Sequence, residues 1–187
     1  MAVVDVYAEL PGELRPLLRT EFERLAEQGA FEDENVELLE GVLVEMSPEG
    51  TEHAWVVQQL IKLLSRGLPD ELSLRAAAPW AASARSEPQP DLAVVPAANY
   101  RSDHPSDARL LIEVAYSSRR KDLMVKARIY AAVGVPEYWV IDLVDRVVIR
   151  HVDPVPDAGY GTVTRHHQDD SLEVEGVSVD LRPLLSD

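Results

Sequence analysis

A chain of 187 residues with 46% apolar and 27% charged side chains is long enough to bury a substantial core and has the make-up of a soluble globular protein. No apolar run approaches the roughly eighteen residues that a membrane span needs, and the absence of cysteine excludes disulfides and thiolate metal sites. Eighteen basic against thirty-three acidic side chains leave a net charge of −15 and a pI near 4.7, a field that repels polyanions, so contact with nucleic acid needs a local basic patch, a bound cation or a partner.

The first residues, Met1 to Tyr7, carry neither a basic n-region nor a long apolar h-region, so no signal peptide is expected, and a cysteine-free chain suits a reducing cytoplasm. A helix is predicted over Leu14–Gln28, within 13–29, with Pro16 at an early position, Leu18, Phe22 and Leu25 as its apolar stripe and Gly29 as its stop. It is expected to pack on a single domain spanning residues 1–187.

Val36–Leu39 and Val42–Met46 flank the pair Glu40-Gly41, which predicts a hairpin with a two-residue turn. Ser47-Pro48-Glu49-Gly50 breaks it, and His53–Arg66 has helical periodicity ending at Gly67. Strands are expected over Leu72–Ala78 and Asp91–Val95, the second reached through the proline-rich Glu87–Pro90. A polar loop, Ala97–Asp107, leads to Arg109–Tyr116, whose apolar run suits a buried central strand.

A helix over Arg119–Val133, stopped by Gly134, then leads to a strand over Glu137–Asp142. This strand–helix–strand order predicts a parallel pair. Val147–Val152 reads as a hairpin partner, Pro154–Gly161 as a loop, and Val163–His166, Leu172–Val174 and Val177–Leu181 as short closing strands. The class is α/β or α+β, a central mixed β-sheet flanked by helices.

Several charged residues fall where apolar ones are expected. On a wheel of about 100° per residue, Asp122 and Lys126 lie amid Leu123, Val125, Ile129 and Tyr130 on the apolar side of their helix. A snorkelling lysine and a helix-start aspartate would explain them without a site. A buried ammonium without partners is costly, however, and the sharper reading is a polar site on the sheet. Glu113 supplies the complement, mid-strand on the face of Leu111 and Ala115, where it is either a structural ion pair or a cation ligand. Asp91 opens its strand. His53 lies central to the apolar face of its helix, as a core or capping group or a site neighbour. Glu37 alternates with Val36 and Leu38, which by pattern alone makes it an exposed strand residue.

Convergent carboxylates are hard ligands of the kind Mg2+ and Mn2+ take. Asp91 and Glu113 as ligands with Lys126 as a nearby cation form a set suited to phosphodiester hydrolysis. No Walker loop, GxGxxG, GxSxG or HExxH pattern offers another chemistry. His104, His151, His166 and His167 read as surface residues. Arg119-Arg120-Lys121 is a solvated helix start or a phosphate contact.

With these residues in order, the chain resembles the bacterial Uma-type restriction endonuclease family, a branch of the PD-(D/E)XK nuclease superfamily. The segments that carry the resemblance are Val36–Gly41, His53, Pro90–Val95, Ile112–Val114, then Asp122, Lys126 and Tyr130, and Gly134–Asp142. It runs from about Glu13 to Leu185. It implies a restriction-endonuclease-like fold, Asp91 and Glu113 as metal-binding acids, Glu37 as an additional upstream acid and His53 beside them. The lysine expected two positions after the second acid is replaced by Ala115, and Lys126 on the following helix takes its place. The resemblance also implies a DNA substrate and a homodimer. Two other readings stay open: a module of the same fold that binds but does not cut, supported by the acidic charge, and a metal-dependent hydrolase of a small phosphorylated substrate.

Overall fold

The computed structural model describes residues 15–186. The reading of Met1–Tyr7 and the first positions of the expected N-terminal helix lie outside them. Helix α1 runs over Arg19–Glu27, so Pro16 precedes the helix instead of starting it. Its neighbourhood is fixed by the turn of the first hairpin. Strands β1 (Val36–Leu39) and β2 (Val42–Glu45) pair antiparallel, with Glu40 and Gly41 at φ 51° and 82°, the positive-φ pair that a two-residue turn requires. A Cβ on Gly41 would stand 2.3 Å from the Pro16 Cβ, so only glycine lets the chain before α1 lie on this turn.

Helix α2 spans Thr51–Gly67, two residues earlier at its start than the periodicity indicates. Strands β3 (Leu72–Ala76), β4 (Leu92–Pro96), β5 (Leu110–Ala115), β6 (Glu137–Asp142), β7 (Val147–Val155) and β8 (Gly159–His166) form one sheet in chain order. All neighbours are antiparallel except β5 and β6, which are parallel as the intervening helix demands. Every residue of β5 is buried. The sheet is thus mixed and flanked by helices, as expected.

Three departures concern the C-terminal third. Residues 154–161 are not a loop: β7 and β8 pair as far as Val155 with Gly159. The β6 ladder stops at Val152, so Pro154, which lacks an N–H, lies beyond the part of β7 bonded on both sides. His151 is buried, not exposed, because it pairs across from Tyr138; its ring packs against Tyr138 and Tyr160, and burial lowers its pKa. Beyond β9 (Ser171–Val174) and β10 (Val177–Asp180), a short helix α4 (Arg182–Leu185) follows that the strand pattern did not indicate.

The alternation of the strands divides the core into two layers. Leu92, Ile112, Val114 and Ile141 face α2, β9, β10 and α4. Ala93, Leu111, Ala115 and Val140 face the helical segment 119–132. Within that segment Lys121–Lys126 forms a π-helical turn that passes into α3 (Ala127–Ala132). The Asp122 carbonyl accepts both the Ala127 N–H five residues on and the Tyr138 hydroxyl at 3.1 Å. An extra donor inserted into the ladder accounts for the widened turn, a feature often found where a helix carries function. Among the described residues no helix is long and apolar enough to cross a membrane.

Candidate active site

The antiparallel register of β4 and β5 positions two of the acids. Its recorded pairs end at Leu92 with Ile112, so the next rung sets Asp91 across from Glu113. Asp91 Oδ2 accepts the Val114 N–H at 2.6 Å and lies 3.1 Å from His53 Nε2. Both carboxylates, His53 and Lys126 line one cavity of about 410 Å3, which also takes in Glu49 and Asp122.

Lys126 is the hub of a buried ion network. It is 2% exposed, with Nζ 2.8 Å from Glu113 Oε1 and 3.0 Å from Glu37 Oε2. Burial favours its neutral form, but the carboxylates of Glu113, Glu37 and Asp122 overcome this and raise its pKa. Glu113 Oε1 also accepts from the Tyr130 hydroxyl at 3.0 Å. Both of these bonds end on one oxygen, and the residue lines the cavity as well. Burial in this apolar layer pushes the Glu113 pKa well up, against the pull of Lys126.

Glu37 corrects the pattern-based expectation of an exposed position. Its strand is bridged to the segment before β4 through Leu38 and Glu87, which covers the side chain and leaves it 1% exposed. Its oxygens accept from Gln89 N–H at 3.1 Å, Lys121 Nζ at 2.6 Å and Lys126 Nζ. Burial alone would raise its pKa; the two lysines outweigh it and lower it. Two members of the basic run 119–121 are engaged within the fold: Lys121 holds Glu37, and Arg119 binds Asp142 and Asp145 at 2.7 and 2.5 Å, while Arg120 is exposed.

The five residues singled out from the sequence therefore converge as two linked groups, Glu37–Lys126–Glu113 and His53–Asp91. The donor cluster differs in composition from the Asp91–Glu113 pair. Among the described residues, one set of three ligand-type side chains has its donor atoms within 4.8 Å of one another: Glu49, His53 and Asp91. Glu49 lies in the chain-breaking Ser47–Gly50 segment; its spacing of four from His53 across the start of α2 is the one signal it leaves in the sequence, with His53 Nδ1 3.5 Å from Glu49 Oε2. Burial lowers the His53 pKa, but the Asp91 carboxylate at Nε2 outweighs this and raises it.

The cavity fits a cation. Five carboxylates, those of Glu49, Glu52, Asp91, Glu113 and Asp122, line it against two lysines. Asp122 is 1% exposed, and its Oδ1 is buried with no hydrogen-bond partner, so burial raises its pKa. His53 Nδ1 is likewise buried without a hydrogen-bond partner, 3.5 Å from the Glu49 carboxylate. Orphaned acceptors on an acidic wall are what a bound positive ion would satisfy.

Comparison with known proteins assigns this geometry a context. Residues 19–184 match the model of the Uma2 family, described as "Putative restriction endonuclease". The fold is similar to the crystal structure of a putative nuclease belonging to DUF820 from Anabaena variabilis ATCC 29413, with a TM-score of 0.72 and 13% identity over 91% of this chain and 98% of that one. No curated protein matches the sequence.

Proposed function

The chain belongs to the Uma2 family of putative restriction endonucleases, and we propose that it is a Mg2+- or Mn2+-dependent endonuclease that hydrolyses phosphodiester bonds in DNA. The observation that carries this reading is the Lys126 ammonium, buried and held charged by Glu113 and Glu37 in the wall of the cavity that Asp91 also lines. Asp91 and Glu113 are the residues that would hold the catalytic cation. When bound there, a divalent ion would supply polarisation of a phosphoryl oxygen and a lowered pKa for a coordinated water.

The protein's own groups supply the rest. The Val114 N–H fixes Asp91 Oδ2, and Tyr130 and Lys126 fix Glu113, so the two carboxylates are oriented before any ligand arrives. Lys126 places positive charge beside the non-bridging oxygens as negative charge grows on them. The water oxygen bonds to phosphorus, the bond to the leaving sugar oxygen breaks, and that oxygen takes up a proton while the water gives one to solvent. The excess of carboxylates would repel a phosphodiester until a cation neutralises them, which ties the substrate to the metal. The family resemblance adds a homodimer, and the cysteine-free sequence a reducing cytoplasm.

A non-cutting module is the second reading, favoured by the net charge of −15 and by the internal pairing of Arg119 and Lys121. Incubation with supercoiled plasmid separates the two. The nuclease reading expects nicked and linear product with Mg2+ or Mn2+, none with EDTA and none from Asp91→Asn. DNA retention without cutting by the wild type would favour the module.

A further inference from the structure

We infer that Glu49 and His53, with Asp91 behind the imidazole ring, form a second divalent-cation site, one with a nitrogen ligand that selects a first-row transition ion such as Mn2+ over Mg2+. This rests on the same cavity as the nuclease reading and shares Asp91 with it, but its ligating atoms are those of Glu49 and His53, and Glu113 takes no part.

The tautomer of His53 is decided by its surroundings. Asp91 Oδ2 already accepts the Val114 N–H at 2.6 Å, so it is an acceptor toward His53 as well, and Nε2 must carry the proton across the 3.1 Å contact. That leaves Nδ1 as the position for a second proton, which the surrounding carboxylates favour by raising the His53 pKa, or for a metal ion in the proton's place. Nδ1 is buried, has no hydrogen-bond partner and stands 3.5 Å from Glu49 Oε2. Beside that carboxylate Nδ1 favours a positive species, either its own proton or a divalent ion that displaces it. Two donor atoms each about 2.1 Å from one ion stand roughly 3 to 3.5 Å apart, so the observed spacing admits a metal ion.

Asp91 then plays the part carboxylates commonly play behind a metal-bound imidazole: it takes the distal N–H, fixes the ring and raises the basicity of the ligating nitrogen. Asp122 is the independent witness to a cation. It is buried to 1% exposure, Oδ1 lacks a partner, it lines the same cavity, and its charge acts on His53. Carboxylates alone suit Mg2+, whereas an imidazole suits the transition ions, which climb in affinity along the first row.

Electron spin echo spectroscopy of Mn2+ added to the protein reads nitrogen coordination directly, without substrate. Wild type at two equivalents and Glu113→Gln at one should both show 14N coupling, and His53→Asn, with its fold checked by circular dichroism, should not. Glu49→Gln, which keeps the ring, should retain the coupling with Mn2+ bound about 10–100-fold more weakly. Mn2+ that binds the wild type without 14N coupling overturns this inference and leaves the Asp91–Glu113 cation standing. Coupling that survives in His53→Asn also overturns it. No Mn2+ binding in any form overturns both readings.

Discussion

Lys126 Nζ lies 2.8 Å from Glu113 Oε1, so the helix that follows β5 returns its one buried ammonium to the middle of that strand. The pair is closed by Tyr130 and Glu37 and stands among apolar side chains of the second core layer. Removing one partner of such a group strands the others without water to solvate them.

Lys126→Met is therefore expected to destabilise the protein as well as to abolish cutting. With Glu37 and Glu113 left unpaired, the cost at pH 8 should be about 3–5 kcal/mol. Glu37 makes the contribution of this ion network depend on pH in acid. Its folded pKa lies below the ordinary value of 4.5, so its contribution is present above that value and lost as the pH falls through the folded pKa. The deficit of the variant should consequently shrink in acid. Urea denaturation of both proteins at pH 8 and pH 4 tests this, and an equal deficit at both would contradict the pairing.

Tyr130→Phe removes only the hydroxyl that binds Glu113 Oε1. The loss of one buried hydrogen bond should cost about 0.5–1.5 kcal/mol. An unfolding midpoint identical to wild type would mean that this contact contributes nothing in solution.

Glu87 gives a titration away from the cavity. It is buried, its Oε2 has no hydrogen-bond partner, and burial, then Glu23, push its pKa up to about 8 despite Arg19. From pH 4.5 to about 8 the folded protein keeps a proton that the unfolded chain has released. Stability should therefore fall as the pH rises through this window and level off above it. Glu87→Gln should flatten that slope in thermal melts and be the more stable protein at pH 8. The same slope in the variant would place the proton elsewhere.

The sequence revealed the inward charges because periodicity is a property of single elements. Asp122 and Lys126 sit on the apolar side of their helix at any pitch close to 100° per residue, and Glu113 sits on a definite face of β5. The π-helical turn was not legible, because it depends on a Tyr138 hydroxyl from another strand reaching the Asp122 carbonyl. Glu37 looked exposed for the same kind of reason. Its cover is the segment around Glu87, some fifty residues away, and no local pattern encodes that bridge. Glu49 escaped because it precedes α2 on an irregular stretch, where spacing carries no face. Long-range register, such as the rung that sets Asp91 opposite Glu113, becomes visible only once β4 and β5 are paired.

Calorimetric titration of Mn2+ into the wild type and Glu113→Gln decides whether the cavity holds a cation on Asp91 and Glu113. The wild type should bind Mn2+, and the folded variant should lose at least one equivalent of it while Lys126 stays paired with Glu37. Binding of the same number of equivalents at unchanged affinity by both proteins would show that Glu113 serves only to bury and balance Lys126, and the nuclease assignment of these residues would fall with it.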